Sequence, residues 1–188
     1  MRSSLRSPST SGGAAKRAIR SPRTDTSSGS GSMTEQREAL YDACAARSEA
    51  QRGHMLDLEK AGICVFCAEH FPVYHREPVE IRGRYWYVAR NDFPYAGTSA
   101  HYLIVPYVHV SSFDELPDEA GAELWSMKRA LKERLDPLAV ATVERSGDMR
   151  YNGGSVAHLH VHFVALDVAP SQTVRFRVSS KGDGEAVI

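Results

Sequence analysis

Hydrophobic and polar residues change their spacing along the chain, and each spacing predicts a different kind of element. Apolar side chains recur every three or four positions from Asp118 to Leu135, directly after Leu116-Pro117, which predicts an amphipathic helix over 118–135. A weaker pattern of the same period predicts one or two helices between Thr34 and Lys60, with Thr34 as the N-cap and Gly62 at the end.

Runs of aromatic and β-branched residues predict strands elsewhere in the chain. Two such runs, Arg84–Arg90 and His101–Val105, flank a turn-rich segment and are expected to be neighbours in one sheet. The other predicted strands are Leu138–Val143 with a continuation at Met149–Tyr151, Ala157–Leu166, and the alternating segment Thr173–Val178. Together these elements predict an α+β fold, with a mostly antiparallel sheet of about five strands and packed helices.

Composition separates the first 32 residues from the rest. Residues 1–32 are rich in Ser, Gly, Arg and Pro and hold almost no large apolar side chains, so they are predicted to be disordered. Six basic residues precede the first acid, Asp25, which leaves a dispensable leader and an organelle transit peptide both open. The predicted organisation is this leader, a helical extension at 33–62, an α+β domain at 63–170, and a C-terminal strand and tail at 171–188.

The overall composition excludes several classes of protein. The 188 residues are 42% hydrophobic, enough for one domain with a core, in which Trp86 and Trp125 are expected. Lysine plus arginine equals aspartate plus glutamate, at 23 each, so nothing favours a nucleic-acid or membrane partner. No apolar run reaches the roughly 18 residues of a membrane helix, and three cysteines do not make a disulfide framework. A cytoplasmic protein is therefore expected.

The segment from His158 to Phe163 alternates histidine with apolar residues. Successive side chains of an extended segment point to opposite faces, so His158, His160 and His162 are expected to share one face. The simple alternative is a half-exposed strand that carries polar residues. Three aligned imidazoles favour a functional site instead, because each disfavours protonation of its neighbour and so keeps it available as a nucleophile or ligand.

The turn Asn152-Gly153-Gly154-Ser155 stands directly before these histidines. Two glycines allow backbone N–H groups to approach a phosphate, and the Ser155 hydroxyl can donate to a leaving-group oxygen. Such a turn is most often only a turn. Its position before three aligned histidines makes it a candidate anion-binding element.

These residues resemble the signature of the histidine-triad (HIT) family, which is His-φ-His-φ-His-φ-φ with φ apolar, at every position from His158 to Val164. The resemblance covers roughly residues 63–166 and includes a second landmark, Val105-Pro106-Tyr107-Val108-His109. It implies a HIT-like fold, a homodimer, and a nucleotide hydrolase or transferase. In that chemistry His160 would attack the α-phosphate of a nucleotide and form a nucleotidyl-histidine intermediate, which water hydrolyses.

The same resemblance implies roles for the surrounding side chains. His162 would bind a phosphate oxygen and stabilise the developing charge, His158 would complete the catalytic triad, and Ser155 would assist the leaving group. The residues expected to bind the nucleotide are Asn91 beside the ribose, Phe93 against the base, and Asn152 and Gly154 in the turn.

Cys64-Val65-Phe66-Cys67 is a Cys-x-x-Cys knuckle, for which a redox pair, a metal half-site and two buried small residues are all open. A redox pair usually opens a helix in a βαβ unit, and the sequence around the knuckle does not predict one. Resemblance to members of the triad superfamily that carry such a knuckle implies a structural zinc ion. Its ligands would be Cys64, Cys67, His109 and His158. No organic cofactor is expected.

The remaining histidines have weaker assignments. His101 is expected either beside the triad, from a neighbouring strand, or as an ordinary core histidine. His54, His70 and His75 are expected on the solvated surface.

The favoured hypothesis is a hydrolase of dinucleoside polyphosphates, nucleoside phosphoramidates or adenylylated adducts. Relatives that transfer the nucleotide to phosphate typically carry Gln at the position of His162, which favours hydrolysis, although the Asn91–Tyr95 loop also resembles dinucleoside-polyphosphate phosphorylases. A nucleotide-binding regulator with little turnover is a second alternative. A protein whose three histidines bind a catalytic cation ranks last, because Asp148 and Asp167 flank the segment and are not interleaved in it.

Overall fold

The computed structural model describes residues 38–166 and 174–179. The predicted leader at 1–32, the predicted cap Thr34 and the flanking Asp167 lie outside these residues. The helices are α1 (Glu49–Ala61), α2 (Phe71–Tyr74), α3 (Asp118–Leu135) and α4 (Met149–Asn152), with short 3₁₀ turns at Ala43–Ala45 and Phe113–Glu115. The strands are β1 (Val79–Arg82), β2 (Trp86–Arg90), β3 (Ala100–Pro106), β4 (Ala139–Glu144) and β5 (Val161–Leu166).

The five strands form one sheet in the order β1-β2-β3-β5-β4, and every neighbouring pair is antiparallel. The predicted neighbours β2 and β3 are paired, with Val88 opposite Ile104. Strand β5 lies between β3 and β4, so His162 has Leu103 on one side and Val143 on the other. The predicted α+β fold with a five-stranded antiparallel sheet is confirmed.

Both faces of the sheet are covered, which explains why the central strands are apolar at nearly every position. On one face, α3 packs against a core that includes Trp86, Ile104, Val161 and Phe163. On the other face, α1 and the cysteine knuckle close a core built from alternate residues of the same strands, such as Leu103. The histidine side of β5 belongs to this second face.

The helix ends follow local chemistry. Helix α1 is capped by Ser48, whose side chain accepts from the Gln51 N–H, and ends at Gly62 with φ 71°, the left-handed conformation that favours glycine. Gly62 is therefore the terminator that the sequence predicts. Helix α3 has the bounds predicted from its periodicity, with acidic residues in its first turn and basic residues in its last.

One strand prediction is wrong, and another strand begins later than predicted. Residues 149–152 form helix α4, because the Asp148 side chain caps the Arg150 N–H and Gly153 ends the turn at φ 68°. The strand predicted from Ala157 begins only at Val161. Before that point the backbone is bonded to loops, with the Ala157 N–H donating to Leu40 and the Leu159 N–H to Val110.

The predicted C-terminal strand is also wrong within its described part. Residues 174–178 have no strand conformation; side-chain donors hold this segment instead, with Arg145 donating to the Arg177 carbonyl. Strand β1 completes the five strands of the sheet. The sequence pattern does not predict it, because Val79–Arg82 is short and half charged.

Of the two tryptophans, only Trp86 lies in the core, where its indole N–H donates to the Ala120 carbonyl at 2.8 Å. Trp125 is 66% exposed, so its predicted core position is wrong. The buried face of α3 is formed by Ala120, Leu124, Met127 and Leu131, and Trp125 lies one position off that stripe. Within residues 38–166 and 174–179, no helix combines the length and apolar character needed to cross a membrane.

Burial on α3 gives a stability prediction. Leu131 is fully buried between α3 and the sheet, whereas Leu138, just beyond the helix, is 82% exposed. We expect Leu131→Ala to lower the free energy of unfolding by about 2–5 kcal/mol through lost burial and a residual cavity. Leu138→Ala should change it by less than about 0.5 kcal/mol. Urea denaturation measures both, and equal losses in the two variants would contradict the layer assignment.

Candidate active site

The histidine segment runs between the two cores, and the side chains alternate across it as the sequence predicts. Leu159, Val161 and Phe163 are buried in the core under α3. The three histidines are buried too, but they are not members of that core. Only His162 lies in a regular strand, so the alternation is a property of extended backbone and extends beyond the sheet.

His160 has one ring nitrogen committed to the backbone. Its Nδ1 lies 2.8 Å from the carbonyl oxygen of His158. A carbonyl only accepts, so Nδ1 carries the hydrogen, and in a neutral ring Nε2 then keeps its lone pair. Burial lowers the pKa of His160 to about 4, and the charges of Arg145 and Arg47 act in the same direction. The ring is therefore neutral near pH 7, as a nitrogen nucleophile must be.

His162 is oriented by a hydrogen-bonded chain that starts in a loop. The backbone N–H of Tyr95 donates to His101 Nδ1 at 3.0 Å, so the hydrogen of the neutral His101 ring is on Nε2. His101 Nε2 lies 2.9 Å from His162 Nδ1 and donates to it. The hydrogen of His162 is consequently on Nε2, the nitrogen that is not used by His101.

Burial keeps this pair uncharged. It lowers the pKa of His101 to about 3, with Arg47 and His160 adding to the effect. It also holds the pKa of His162 well below its usual value, and the neighbouring His160 and His101 contribute next. Of the two alternatives for His101, the structure shows the position beside the triad. The His101 ring contacts the His162 ring diagonally across the β3–β5 pair, because the residue directly opposite His101 is Val164.

A cleft opens between α1, the Asn91–Tyr95 loop and the histidine face of the sheet. Its apolar side chains include Met55, Leu58, Val65, Phe66 and Leu103. The residues of the predicted site that line it are Asn91, Phe93, Ser155, His160 and His162. An apolar floor with a few polar groups at one end suits a nucleoside.

Asn91 and Phe93 are held in this cleft by specific contacts. The Asn91 side-chain oxygen accepts from the Phe93 N–H at 3.0 Å. The Phe93 carbonyl accepts from the Arg47 guanidinium at 2.5 Å, and the same guanidinium lies over the Tyr95 ring at 4.6 Å. Arg47 thus ties the N-terminal extension to the loop.

The predicted surface position of His75 is wrong. His75 is buried in the cleft wall, stacked on Phe71 with ring centroids 4.1 Å apart. Its Nδ1 lies 3.0 Å from the Glu77 carbonyl and 3.3 Å from the Asp92 carboxylate. Burial lowers the pKa of His75, while Asp92 opposes the shift. His54 also lines the cleft and is half-buried. His70 is half-buried as well, and its Nδ1 lies 3.1 Å from the Cys64 carbonyl oxygen.

A second, smaller cleft is also lined by His160. It is lined by the β4–α4 connection and the turn that follows, with Arg145, Asn152, Gly154 and His160 among its residues. The Asn152 side chain accepts from the Gly154 N–H at 2.8 Å and donates to the Gly147 carbonyl at 3.1 Å. This Gly154 N–H is thus already used. A Cβ at Gly154 would come within 2.8 Å of the Asn152 oxygen, so the turn requires glycine there.

Two cysteines and two histidines meet beside the triad. The ligand atoms of Cys64, Cys67, His109 and His158 all lie within 4.8 Å of one another, and both cysteines are free thiols. Cys64 Sγ is 3.4 Å from His158 Nδ1, and Cys67 Sγ is 3.3 Å from His109 Nδ1. The cluster could therefore bind a metal ion.

The two shortest Cys–His distances and the protonation of this cluster are compatible with a zinc ion. Tetrahedral zinc, with bonds of about 2.0 Å to nitrogen and 2.3 Å to sulfur, sets its ligand atoms about 3.3–3.8 Å apart. His158 Nε2 lies 3.0 Å from the Pro106 carbonyl and donates to it, so Nδ1 has a lone pair directed at the sulfurs. Burial raises the pKa of Cys64 to about 12, so an uncompensated thiolate is disfavoured and a cation would offset that cost.

Comparisons with known proteins match part of the chain to one domain family. The HIT domain family model matches residues 79–168. Protein hit of Bacillus subtilis (strain 168) is 27% identical over 71 residues, which are 36% of this chain and 48% of that protein. The aligned segment thus spans about half the length of this relative. The chain therefore carries a HIT domain over residues 79–168.

Solved structures that resemble this chain come from bacteria and a yeast. A HIT family hydrolase from Clostridium thermocellum is 22% identical, with a TM-score of 0.44, covering 57% of this chain and 95% of that one. A histidine triad nucleotide-binding protein from Candida albicans is 18% identical, with a TM-score of 0.45, covering 60% and 82%.

The His101–His162 pair gives a spectroscopic prediction. Imidazole ¹⁵N shifts of histidine-labelled protein should show His162 as the Nε2–H tautomer. His101→Phe keeps an aromatic ring against Tyr95 but removes the donor, so the shifts of His162 should move towards a mixture of tautomers. His54→Phe is the matched control and should leave the His162 pattern unchanged. An Nδ1–H tautomer of His162 in the unsubstituted protein would contradict the hydrogen-bonded chain.

Proposed function

We propose that this protein is a nucleotide hydrolase, which cleaves at the α-phosphate of a dinucleoside polyphosphate, a nucleoside phosphoramidate or an adenylylated substrate. The observation that carries the proposal is the position of His160. Its ring lines both clefts, and its hydrogen-bonded Nδ1 leaves Nε2 as the nucleophilic nitrogen.

The larger cleft would take the nucleoside. Its apolar floor offers a surface for the base, with Phe93 at the wall, and Asn91 is the candidate for the ribose. A nucleoside bound in this way would bring the α-phosphate to the end of the cleft, where His160, His162 and Ser155 lie. The bound geometry supplies the orientation that converts a bimolecular attack into an intramolecular one.

In the first step, Nε2 of His160 attacks the α-phosphorus and the bond to the leaving group breaks with its electron pair. The Nε2–H of His162 would donate to a phosphate oxygen and stabilise the charge that develops there. The Ser155 hydroxyl would assist the departing group. Water then attacks the phosphorus of the nucleotidyl-histidine, the P–N bond breaks, and the nucleoside monophosphate is released with a proton to solvent.

Hydrolysis is proposed over phosphorolysis because of the third histidine. His162 sits where phosphate-transferring relatives typically carry Gln, and here it is held with a donor nitrogen available for the phosphate. The alternatives are a dinucleoside-polyphosphate phosphorylase and a nucleotide-binding regulator with little turnover. A homodimer and a cytoplasmic location stay predictions.

We also propose that Cys64, Cys67, His109 and His158 hold a structural zinc ion. Four protein ligands leave no open coordination position, so the ion would act by fixing its ligands and not as a Lewis acid. The carbonyl of His158 accepts the Nδ1–H of His160. Anchoring His158 would therefore keep the His160 ring in its reactive orientation.

His160→Ala tests the nucleophile. Adenosine phosphoramidate and diadenosine triphosphate are incubated with the protein, with and without free phosphate, and the products are separated by chromatography. We expect hydrolysis by the unsubstituted protein and a loss of at least about a thousandfold in kcat for His160→Ala, because no other group supplies the nucleophile. An ADP-type product formed only with phosphate would indicate a phosphorylase, and tight binding without turnover a regulator.

Metal analysis tests the zinc proposal separately. The purified protein should contain about one zinc ion per chain by mass spectrometry of dissolved metals, and Cys64→Ser should lose most of it. Cys44→Ser is the matched control, since Cys44 is exposed and is not one of the four clustered residues. The proposal fails if the unsubstituted protein binds no zinc or if both variants retain it.

A further inference from the structure

The smaller cleft contains an arginine that none of the proposed steps uses. Arg145 directly follows β4, and its side chain lines this cleft together with His160. Strand β4 pairs with β5 so that Val143 is opposite His162 and Glu144 is opposite Val161. Continuing this antiparallel register by one residue sets Arg145 opposite His160, with the two side chains on the same side.

In the described part of the chain, one nitrogen of the Arg145 guanidinium has a hydrogen-bond acceptor and another has none. Its Nη2 donates to the Arg177 carbonyl at 2.7 Å, which fixes the group in place. Within the described residues, Nε of Arg145 is buried and has no hydrogen-bond partner. A buried donor without an acceptor costs free energy, and a donor on a cationic group costs more. Such a group is best explained by an acceptor that arrives with a ligand.

The positive charge of Arg145 indicates that the missing acceptor belongs to an anionic ligand. The positive charge of Arg145 reaches both His160 and His162, and so does that of Arg47 from the other side of the site. The Asp148 carboxylate is engaged by Arg150 at 2.5 Å, and within the described residues Arg145 forms no ion pair with any carboxylate. The Gly154 N–H is likewise used within the turn, which leaves Arg145 as the cationic donor of this cleft.

We infer that Arg145 binds a phosphate of the leaving group, so that this site selects substrates in which a phosphate is attached to the α-phosphate. This inference rests on the proposed function. With the nucleoside in the larger cleft, the α-phosphate would stand at His160, where the smaller cleft also opens, so the phosphate chain that continues from the α-phosphate would enter the cleft that contains Arg145. Guanidinium groups suit phosphate oxygens because their planar N–H donors match the anion in geometry and charge.

The chemical step explains why such a contact matters. When the Pα–O bond breaks, its electron pair goes to the oxygen that remains on the leaving phosphate. That oxygen gains negative charge in the transition state, and a fixed guanidinium stabilises it without needing to transfer a proton. An amine leaving group gains no such charge once it is protonated, so Arg145 should do little for a phosphoramidate. Arg145 is therefore a residue that determines specificity between these two classes.

The test compares two substrates in the same variants. For Arg145→Met, kcat/KM for diadenosine triphosphate should fall by roughly 10- to 100-fold more than kcat/KM for adenosine phosphoramidate, the size expected for one lost charged hydrogen bond. Arg145→Lys retains the charge and should recover part of this ratio. Arg129→Met removes an exposed arginine of α3 that lines neither cleft and should leave the ratio unchanged.

The possible outcomes distinguish a failure of the Arg145 inference from a failure of the proposed function. An equal loss for both substrates in Arg145→Met assigns Arg145 a structural role through the Arg177 tether and overturns the inference alone. If Arg145→Met does not fold, Arg145→Lys decides instead: a greater loss of kcat/KM for diadenosine triphosphate than for adenosine phosphoramidate supports the contact, and unchanged rates or an equal loss for both substrates overturns it. Absence of His160-dependent turnover of either substrate overturns the proposed function and this inference with it.

Discussion

Each histidine of the buried segment has one ring nitrogen committed to a partner in the protein, and this constraint determines what the other nitrogen can do. His158 donates from Nε2 to the Pro106 carbonyl, which directs its Nδ1 lone pair at the knuckle cysteines. His160 donates from Nδ1 to the His158 carbonyl, which leaves a nucleophilic Nε2. His162 accepts from His101 at Nδ1, which leaves a donor at Nε2. Two of these identical side chains thus present a lone pair, as the proposed metal ligand and the proposed nucleophile require, and the third presents a donor.

The two-layer packing of the sheet makes this assignment possible. Buried imidazoles are neutral because burial disfavours the charged ring, and a neutral ring has one donor and one acceptor, never two of either. On the surface the same rings would exchange protons with water near neutral pH and lose their distinct roles. The apolar side chains on the opposite side, such as Val161 and Phe163, fix the segment in the core and so keep the rings in register.

The sequence predicts those parts of the molecule that depend on local periodicity. Helix α3 has its predicted bounds because its apolar stripe, its entry and its end are all encoded nearby. The sharing of one face by the histidines follows from extended backbone alone. The strand predictions for Met149–Tyr151 and for residues 174–178 are wrong because side-chain hydrogen bonds from single residues override a weak β pattern there.

The pairing register of the strands explains what local pattern could not reveal. His101 meets His162, and Arg145 is set beside His160, because β3 and β4 flank β5 with particular residues opposite one another. A shift of one residue in either pair would turn these side chains to the other face of the sheet. The hydrophobic alternation that selects the register is distributed over three strands and two cores, so no short motif contains it. The signal in the sequence for His101 was its place in an apolar run, where a buried histidine needs a partner.

A single hydrogen bond connects the cysteine–histidine cluster to His160, and His160 in turn lines the smaller cleft. A ligand role for His158 fixes its ring, and the peptide that follows carries the carbonyl on which His160 depends. His160 in turn separates a mainly apolar cleft from one that contains Arg145. A nucleotide substrate has the same asymmetry, since its nucleoside is partly apolar and its phosphate chain is anionic. A nucleophile set between two such clefts can therefore select the bond that it attacks by the polarity of what lies on each side.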